Sequence, residues 1–314
     1  MFAVSERIDI GAKERTHDFS TLAVDANKVL VLVGNKRDNA ITGTVGDDTI
    51  YGEDGNDLLN GGLGLDALFG GEGDDTLNAG TDPRGVFAYG EGGDDTINGN
   101  LGDDNLIGGA GDDRIRGASG KDFLSGGGGD DWLMPGAGLN MVDGGDGTDT
   151  VDYSDSTGVE VDLSFHGDRA AGGGGYQGDL IGNVENVVGS SFADTLIGNG
   201  LNNGLSGSGG DDILVGLEGD DHLAGDGGSD TFVFAPQFGN DRITDFDANP
   251  AGGQDLLDIS AFGISAESFG AHVSIADAGP DTLITLDGDP AQTIRLAGIG
   301  NATTVTQQDF LLLL

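Results

Sequence analysis

The stretch GGAGDDRIRGASGKDFLSGGGGDDWLM, residues 108–134, consists of three nearly equivalent repeats of nine residues. Each repeat has glycine at its first and fourth positions, Asp at its sixth position and an aliphatic residue at its eighth position. In the first of them these residues are Gly108, Gly111, Asp113 and Ile115. One apolar residue per short repeat cannot form a core alone, so the pattern predicts a stacked solenoid.

The same pattern covers residues 34–78, 90–152 and 189–233, and an eleven-residue interruption fills 79–89. The eighth position is apolar in every repeat. The sixth position is Asp except where it is Asn39, Asn140 or Asn203. The composition resembles that of disordered acidic polymers, but such linkers do not keep apolar residues in a constant phase. The repeats therefore predict an ordered structure.

The composition excludes several classes of function. The 314 residues include 62 Gly, and 55 acidic residues outnumber 13 basic ones, which gives a net charge of −42. This charge repels nucleic acids and anionic membranes and attracts cations. The absence of Cys excludes disulfides, thiolate metal sites and a cysteine nucleophile. No apolar run is long enough to span a bilayer, and MFAVSERIDIGAKERTHDFS lacks the apolar core of a secretory signal.

The residue types within each repeat predict its local structure. Positions seven to nine are rich in Thr, Ile, Leu and Val, which favour a three-residue strand with only the eighth side chain facing inward. The glycine-rich positions one to six favour a turn. Two repeats then form one coil of about 18 residues, and parallel strands of successive coils lie about 4.8 Å apart.

This stacking aligns the sixth-position carboxylates in columns. At a spacing of about 5 Å, neighbouring charges repel by about 0.8 kcal/mol in water and by about 3 kcal/mol at a protein-like dielectric. A divalent cation between turns reverses the sign of this interaction. Carboxylate and turn carbonyl oxygens are ligands that suit Ca²⁺ better than zinc or copper.

The repeats resemble the GGxGxDxUx nonapeptide of the RTX (hemolysin-type) calcium-binding family. The resemblance implies an all-β fold, a right-handed parallel β-roll with β-rich caps, that holds several Ca²⁺ ions between its turns. Carried over position by position, it implies these metal ligands: Asp48, Asp57, Asp66, Asp75, Asp95, Asp104, Asp113, Asp122, Asp131, Asp149, Asp194, Asp212, Asp221 and Asp230.

Carboxylates two repeats apart are expected to bridge ions. The expected pairs are Asp48/Asp66, Asp57/Asp75, Asp95/Asp113, Asp104/Asp122, Asp113/Asp131, Asp131/Asp149, Asp194/Asp212 and Asp212/Asp230. Pairs that involve Asn140 or Asn203 should be weaker, and the interruption at 79–89 should break the ion column locally. Acidic residues at the fifth position are expected to be solvated charges rather than ligands.

The sequence divides into five segments. We expect an N-terminal cap at 1–33 with the strand KVLVLV, a first array at 34–152, a β-flap insertion at 153–188 that contains the strand VEVDLSF, a second array at 189–233, and a C-terminal β cap at 234–314. The cap, with its strands AHVSI, DTLITLD and TIRLAG, resembles that of serralysin-like RTX metalloproteases and related type I secretion substrates. The ending QQDFLLLL resembles a type I secretion signal, and it also suits a final edge strand.

No HExxH or G-x-S-x-G motif is present, so the resemblance to RTX proteases does not extend to their catalytic half. The sequence predicts a non-enzymatic secreted protein that folds on extracellular Ca²⁺, with a matrix, adhesion or cell-surface role. The expected partners are calcium ions, a type I exporter, and an extracellular polysaccharide or cell surface. The alternative is a polysaccharide-active (epimerase- or lyase-like) or lipase-associated RTX protein, because similar rolls accompany such enzymes.

Overall fold

The computed structural model describes residues 6–9, 16–18, 29–164, 171–172, 178–249 and 253–313. Most of the predicted cap at 1–33 and part of the insertion at 153–188 lie outside these residues. The chain divides into two units. The amino-terminal unit comprises residues 1–152 and 177–184, and the carboxyl-terminal unit comprises 153–176 and 185–314.

Short strands dominate the amino-terminal unit. They are β1 Glu6–Asp9, β2 Thr16–Asp18, β3 Leu30–Val33, β4 Ala40–Thr42, β5 Thr49–Asp54, β6 Leu58–Asn60, β7 Ala67–Glu72, β8 Thr76–Asn78, β9 Phe87–Gly92, β10 Thr96–Asn98, β11 Asn105–Ala110, β12 Arg114–Arg116, β13 Ser119–Gly120, β14 Phe123–Gly128, β15 Trp132–Met134, β16 Ala137–Gly138, β17 Met141–Asp146 and β18 Thr150–Asp152.

The next three strands lie in the predicted insertion, which also includes β22 Asn186–Val188. They are β19 Val159–Asp162, β20 Ala171–Gly172 and β21 Leu180–Gly182, of which β21 belongs to the amino-terminal unit.

The carboxyl-terminal unit continues with strands and a few short helices. These elements are β22 Asn186–Val188, β23 Thr195–Ile197, β24 Gly204–Ser206, β25 Ile213–Val215, β26 His222–Ala224, β27 Thr231–Val233, β28 Asn240–Ile243, β29 Leu256–Asp258, a 3₁₀ turn at Ser260–Phe262, α1 Phe269–His272, β30 Val273–Ala278, β31 Asp281–Leu286, β32 Thr293–Leu296, 3₁₀ turns at Ala302–Thr304 and Gln307–Asp309, and β33 Phe310–Leu311.

Successive strands of the amino-terminal unit alternate between two parallel sheets. One sheet has the order β1-β3-β5-β7-β9-β11-β14-β17-β21, and the other contains β2-β4-β6-β8-β10-β12-β15-β18. Partners in the repeats lie 18 residues apart, as in the register Leu124↔Val142. The predicted parallel β-roll of nonapeptide repeats is therefore confirmed.

The carboxyl-terminal unit is built in the same way. One of its sheets has the order β20-β19-β23-β25-β27-β29-β33, and the other contains β22-β24-β26-β28-β32-β31-β30. The parallel coils end in an antiparallel meander, because β30, β31 and β32 pair in antiparallel fashion. The predicted strands of the cap are present, although His272 ends α1 instead of belonging to β30.

The eighth-position side chains form the core of both units. Each of them is at most 2 % exposed, from Ile41 to Phe232. The coils can stack closely because the fourth position is usually glycine. Gly111, for example, has φ of 128°, and a Cβ added to it would lie 2.3 Å from the carbonyl oxygen of Gly93 in the preceding coil. A larger residue there would separate the coils and open the core.

The predicted three-residue strands are correct for both sheets of the second array. In the amino-terminal unit they are correct for one sheet and too short for the other. Strands such as β12 and β15 cover positions seven to nine, as predicted. Strands such as β11 and β14 have six residues and continue into position three of the next repeat. These strands are longer because the turn backbone also pairs between coils. Pairing is interrupted at position one and resumes at position two, as in Gly109↔Gly127.

The interruption at 79–89 forms a longer repeat within the roll. Ala88 takes the eighth position and is 1 % exposed. Val86 takes the sixth position, and its N–H bonds to Asp104 in the next coil at 2.7 Å. Within the described ranges, no helix combines the length and the apolar character that crossing a bilayer requires.

Candidate metal centre

The sixth-position aspartates form ladders along both units. In each step, the backbone N–H of one sixth-position residue donates to Oδ1 of the sixth-position side chain in the next coil. The distances are 2.8 Å from Asp95 to Asp113 and 2.8 Å from Asp113 to Asp131. The aspartates are nearly completely buried, since Asp113 is 1 % and Asp131 is 2 % exposed.

Every expected pair is joined in this way. The bonds run from Asp48 to Asp66, Asp57 to Asp75, Asp95 to Asp113, Asp104 to Asp122, Asp113 to Asp131, Asp131 to Asp149, Asp194 to Asp212 and Asp212 to Asp230. The structure thus brings the predicted residues together in columns, and whether they hold ions stays a prediction.

Three further steps between aspartates extend the ladders beyond the expected pairs. Asp75 donates to Asp95 at 2.7 Å across the interruption, where the separation grows from 18 to 20 residues. Asp221 donates to Asp241 at 3.1 Å, and Asp230 donates to Asp255 at 3.0 Å. A search for nine-residue spacing finds Asp95 but misses Asp241 and Asp255. A search for a buried apolar residue two positions after an Asp finds them, at Ile243 and Leu257.

The second carboxylate oxygen is the unusual feature of these columns. Among the described residues, many sixth-position side chains have a buried Oδ2 atom with no hydrogen-bond partner. They are Asp57, Asp66, Asp75, Asp95, Asp113, Asp122, Asp131, Asp212, Asp221, Asp230 and Asp241. A buried polar atom without a partner costs about 1–3 kcal/mol, and more when it is charged. The columns therefore need a positively charged group at Oδ2.

The electrostatics agree with this requirement. Burial raises the pKa of Asp95 to about 8 and that of Asp113 to about 7, and repulsion from neighbouring column carboxylates adds to the effect. The backbone N–H bonds to Oδ1 oppose the shift without cancelling it. The pKa of Asp131 is raised to about 6 for the same reasons. Ionised columns are thus unfavourable in the protein alone, and a cation would relieve the cost.

Three of the predicted ligands differ from the others. Oδ2 of Asp48 accepts bonds from the N–H of Thr44 at 2.6 Å and from its hydroxyl at 2.8 Å. Oδ2 of Asp104 accepts a bond from the N–H of Asn100 at 2.7 Å. In Asp194 the corresponding donor is the N–H of Ser190, at 2.5 Å. Both oxygens of these carboxylates therefore have partners within the protein.

An Asn side chain in a column offers one acceptor oxygen instead of the two of Asp. For this reason, pairs that involve Asn are expected to bind an ion more weakly. Oδ1 of Asn140 accepts the N–H of Asp122 at 3.0 Å, so the ladder continues. The Nδ2 of Asn140 donates to the Gly136 carbonyl at 3.3 Å, and that of Asn203 donates to the Glu185 carbonyl at 2.9 Å. A donor therefore takes the place of the second acceptor oxygen.

The glycine at position one brings other oxygen atoms close to Oδ2. A Cβ added to Gly108 would lie 2.0 Å from Oδ2 of Asp113 and 2.6 Å from the carbonyl oxygen of Gly126, one coil further on. The same arrangement recurs at Gly90 and at Gly126. A carboxylate oxygen and a main-chain carbonyl oxygen of the next coil thus converge where a side chain would otherwise lie.

Side chains alone do not complete a metal site. In the described part of the chain, no three Asp, Glu, His or Cys side chains converge closely enough to hold an ion. An ion beside Oδ2 would therefore draw on main-chain carbonyl oxygens as well. This oxygen-only donor set fits a hard cation such as Ca²⁺, which takes six to eight oxygen ligands in flexible geometry.

Fifth-position side chains form a second ladder that the sequence did not predict. Asp94 accepts the N–H of Asp112 at 2.9 Å, and Asp112 accepts that of Asp130 at 2.8 Å. Fifth-position carboxylates accept N–H groups of the following coil, whereas sixth-position carboxylates accept N–H groups of the preceding coil. The side chains are exposed, as expected for solvated charges, but they also satisfy backbone donors between coils.

The repeated coils, the apolar core and the columns of buried carboxylates define a β-roll built around aspartate ladders. A family model for the RTX calcium-binding nonapeptide repeat, which spans four copies, matches residues 33–68, 62–82, 89–124, 125–155 and 206–234. The repeat region of this chain belongs to the RTX calcium-binding repeat family.

Three of the solved structures that match this chain have TM-scores below 0.5. The AlgE6R3 subunit of the mannuronan C5-epimerase from Azotobacter vinelandii is 27 % identical, with 40 % of this chain and 77 % of that chain covered and a TM-score of 0.32. The AlgE6R2 subunit of that epimerase is 22 % identical, with coverages of 52 % and 91 % and a TM-score of 0.28.

The extracellular lipase LipA from Serratia marcescens is 14 % identical, and its TM-score is 0.25. That match covers 96 % of this chain but 43 % of the lipase. No match was found among the curated proteins.

Proposed function

We propose that this chain is a secreted calcium-binding β-roll protein that folds when it meets extracellular Ca²⁺. The observation that carries the proposal is the set of buried Oδ2 atoms without partners, as in Asp95, Asp113 and Asp131. Sixth-position aspartates whose Oδ2 has no protein partner, together with nearby turn carbonyls, hold the ions. The bound ions supply positive charge that offsets the repulsion within each column.

Calcium binding then becomes part of the folding free energy. The apolar core contains one eighth-position side chain per repeat, and 62 glycines lose much conformational freedom on folding. Ligands that bind only the folded state stabilise it in proportion to the logarithm of their concentration. Extracellular calcium modules bind with dissociation constants of about 10⁻⁴ to 10⁻³ M, well above cytosolic levels. The chain therefore stays unfolded in the producing cell and passes a type I exporter in that state.

The role outside the cell follows from charge and shape of the repeats. An acidic, calcium-bridged roll suits a matrix, adhesion or cell-surface role, in which calcium links its carboxylates to an anionic polysaccharide or surface. The proposal assigns no catalytic step to the chain. The carboxylates of the columns are buried, and those that hold ions stay ionised, which is unsuitable for a general acid.

Far-UV circular dichroism during a Ca²⁺ titration tests the proposal. We expect little β signal in chelator at pH 8 and a cooperative rise near about 10⁻⁴ to 10⁻³ M Ca²⁺. Magnesium is the matched control, because it needs near-ideal octahedral geometry and gives up water reluctantly, so it should not replace calcium. A strong β signal in chelator at pH 8, or no response to calcium, would refute calcium-dependent folding.

A further inference from the structure

The aspartate columns contain two kinds of turn, which differ at the second position of the repeat. In an open turn, Oδ2 of the sixth-position Asp has no partner. In a closed turn, the N–H of the second-position residue donates to that oxygen. Turns ending at Asp113 and Asp131 are open, and those ending at Asp48, Asp104 and Asp194 are closed.

The backbone conformation of the second residue separates the two kinds. The residue four positions before every open aspartate has a positive φ. These residues are Glu53, Gly62, Gly71, Glu91, Gly109, Ala118, Gly127, Ser208, Leu217, Asp226 and Gln237. The second residues of the closed turns, Thr44, Asn100 and Ser190, do not have a positive φ.

A local hydrogen bond stabilises the closed turns. The side-chain oxygen of the second residue accepts the N–H of the fourth residue, as from Gly102 to Asn100 at 2.7 Å and from Phe192 to Ser190 at 3.1 Å. Thr44 accepts the N–H of Gly46 at 3.2 Å. Asn, Ser and Thr form such turns readily. They hold the second residue where its own N–H reaches the carboxylate.

Residue type alone does not decide the conformation. Ser208 is left-handed with φ of 73°, whereas Ser190 is not. In the turn of Ser208, the N–H of Gly210 donates to the carbonyl of Gly227 in the next coil at 2.8 Å, so it is not used within the turn. The N–H of the fourth residue can thus bond either to a carbonyl of the next coil, as in the open turn of Ser208, or to the side chain of the second residue, as in the closed turn of Ser190. The acceptor that it bonds to determines the form of the turn.

The open form is strained where the second residue has a side chain. Left-handed conformations cost L-residues about 1–2 kcal/mol each. Glu53 and Glu91 have φ of 81°, and Leu217 has φ of 73°. Strain of this kind persists when the surrounding structure compensates for it, and it often marks a functional site. Here its consequence is a buried carboxylate oxygen that faces no donor of the protein.

We propose that the second residue of each repeat determines which aspartates bind calcium: open turns bind it, and the closed turns at Asp48, Asp104 and Asp194 do not. This inference rests on the proposed function, because it distributes the ions that the roll binds. It narrows the ligand set that the repeat pattern alone predicts, since all three closed aspartates fit that pattern.

The same rule adds a ligand outside the repeats. Asp241 in β28 is 1 % exposed, and its Oδ1 accepts the N–H of Asp221. Its Oδ2 has no partner, and Gln237, four residues earlier, has φ of 80°. The N–H of Gln237 donates to Gln292 instead, at 2.6 Å. Asp241 therefore extends the calcium-binding column beyond the family match, which ends at residue 234.

Matched Asp→Asn substitutions in the full chain test the rule. Bound calcium is counted by elemental analysis after dialysis against saturating Ca²⁺, with circular dichroism to confirm equal folding. We expect Asp113→Asn and Asp241→Asn each to lower the number of bound ions by at least one and to raise the calcium midpoint of folding. Asp104→Asn should leave the number of ions unchanged.

Loss of an ion in Asp104→Asn, or no loss in Asp241→Asn, would overturn the rule. If Asp104→Asn does not reach the wild-type signal, Asp48→Asn takes its place. Anomalous scattering from calcium-loaded wild-type crystals is independent of any variant: calcium beside Asp241 supports the rule, and calcium beside Oδ2 of Asp104 refutes it. A wild-type chain that binds no calcium would instead refute the proposed function.

Discussion

The first-position glycine determines whether the aspartate of the same repeat fits in its turn. Neither Gly108 nor Gly126 has an unusual φ, so their role is to leave space rather than to permit a special conformation. The sequence shows that glycine recurs at this position, but it does not show what occupies the space. The structure shows that the space is bordered by Oδ2 and by a carbonyl oxygen of the next coil.

A substitution pair isolates this role. Gly108→Ala should destabilise the calcium-loaded protein by about 1–3 kcal/mol, because its Cβ would overlap Asp113 and the Gly126 carbonyl. Gly128→Ala is the control, since a Cβ there meets no atom within 4 Å. Urea denaturation in calcium measures both. Equal stability of the two variants would contradict the crowding seen at Gly108.

The sequence predicts some residues of the site better than others, for physical reasons. The sixth and eighth positions could be predicted, because burial of an Asp and an apolar residue repeats with a visible period. The backbone conformation of the second position could not be predicted from residue type. Ser190 and Ser208 are both serine, but only Ser190 accepts the N–H of the fourth residue of its turn, and only Ser208 has a positive φ. Asp241 was missed because it follows the last regular repeat, which ends at residue 233, and lies 20 residues from Asp221.

At the scale of elements, the strands that close the roll are less regular than those within it. β33 pairs in parallel with β29, and the N–H of Ile259 donates to the Leu311 carbonyl at 3.2 Å. Asp309 closes a capping box with Thr306 just before this strand. The ending was expected to suit both an edge strand and an export signal. Its pairing shows the edge strand, and export remains part of the proposed function.

The aromatic residue of β33 should be important for this closure. Phe310 is 6 % exposed, and its ring lies 5.0 Å from that of Phe269 in an edge-to-face contact. Phe310→Ala should destabilise the carboxyl-terminal unit by about 3–5 kcal/mol, measured by thermal denaturation in calcium. Leu313→Ala removes a side chain that is 53 % exposed and should change stability little. A similar loss in both variants would contradict the packing role of Phe310.

At the scale of the whole molecule, the raised pKa values couple folding to protons as well as to calcium. The pKa of Asp95 is raised to about 8 and that of Asp241 to about 8, from an ordinary value of 3.8. The folded chain therefore binds protons more tightly than the unfolded chain between about pH 4 and pH 8. Its free energy of unfolding falls as the pH rises through this range.

Acid should thus partly replace calcium. In calcium-free buffer, we expect more β signal by circular dichroism at pH 5 than at pH 8, and the calcium midpoint of folding should rise as the pH rises because fewer protons then stabilise the folded chain. A variant with Asp95, Asp113 and Asp131 changed to Asn is the control, because amides do not titrate and its pH dependence should be weaker. A metal-free chain with more β signal at pH 8 than at pH 5 would be inconsistent with these pKa shifts.

The sixth-position ladder gives the roll a chemical polarity. Each step uses an acceptor from the following coil, so the N–H of Asp113 depends on Asp131, and that of Asp230 depends on Asp255. Truncation from the carboxyl end would leave a sixth-position N–H without its acceptor, whereas truncation from the amino end would leave a sixth-position Oδ1 without its donor. The two ends of the roll are therefore not equivalent: a new carboxyl end would require an added acceptor, and a new amino end would require an added donor.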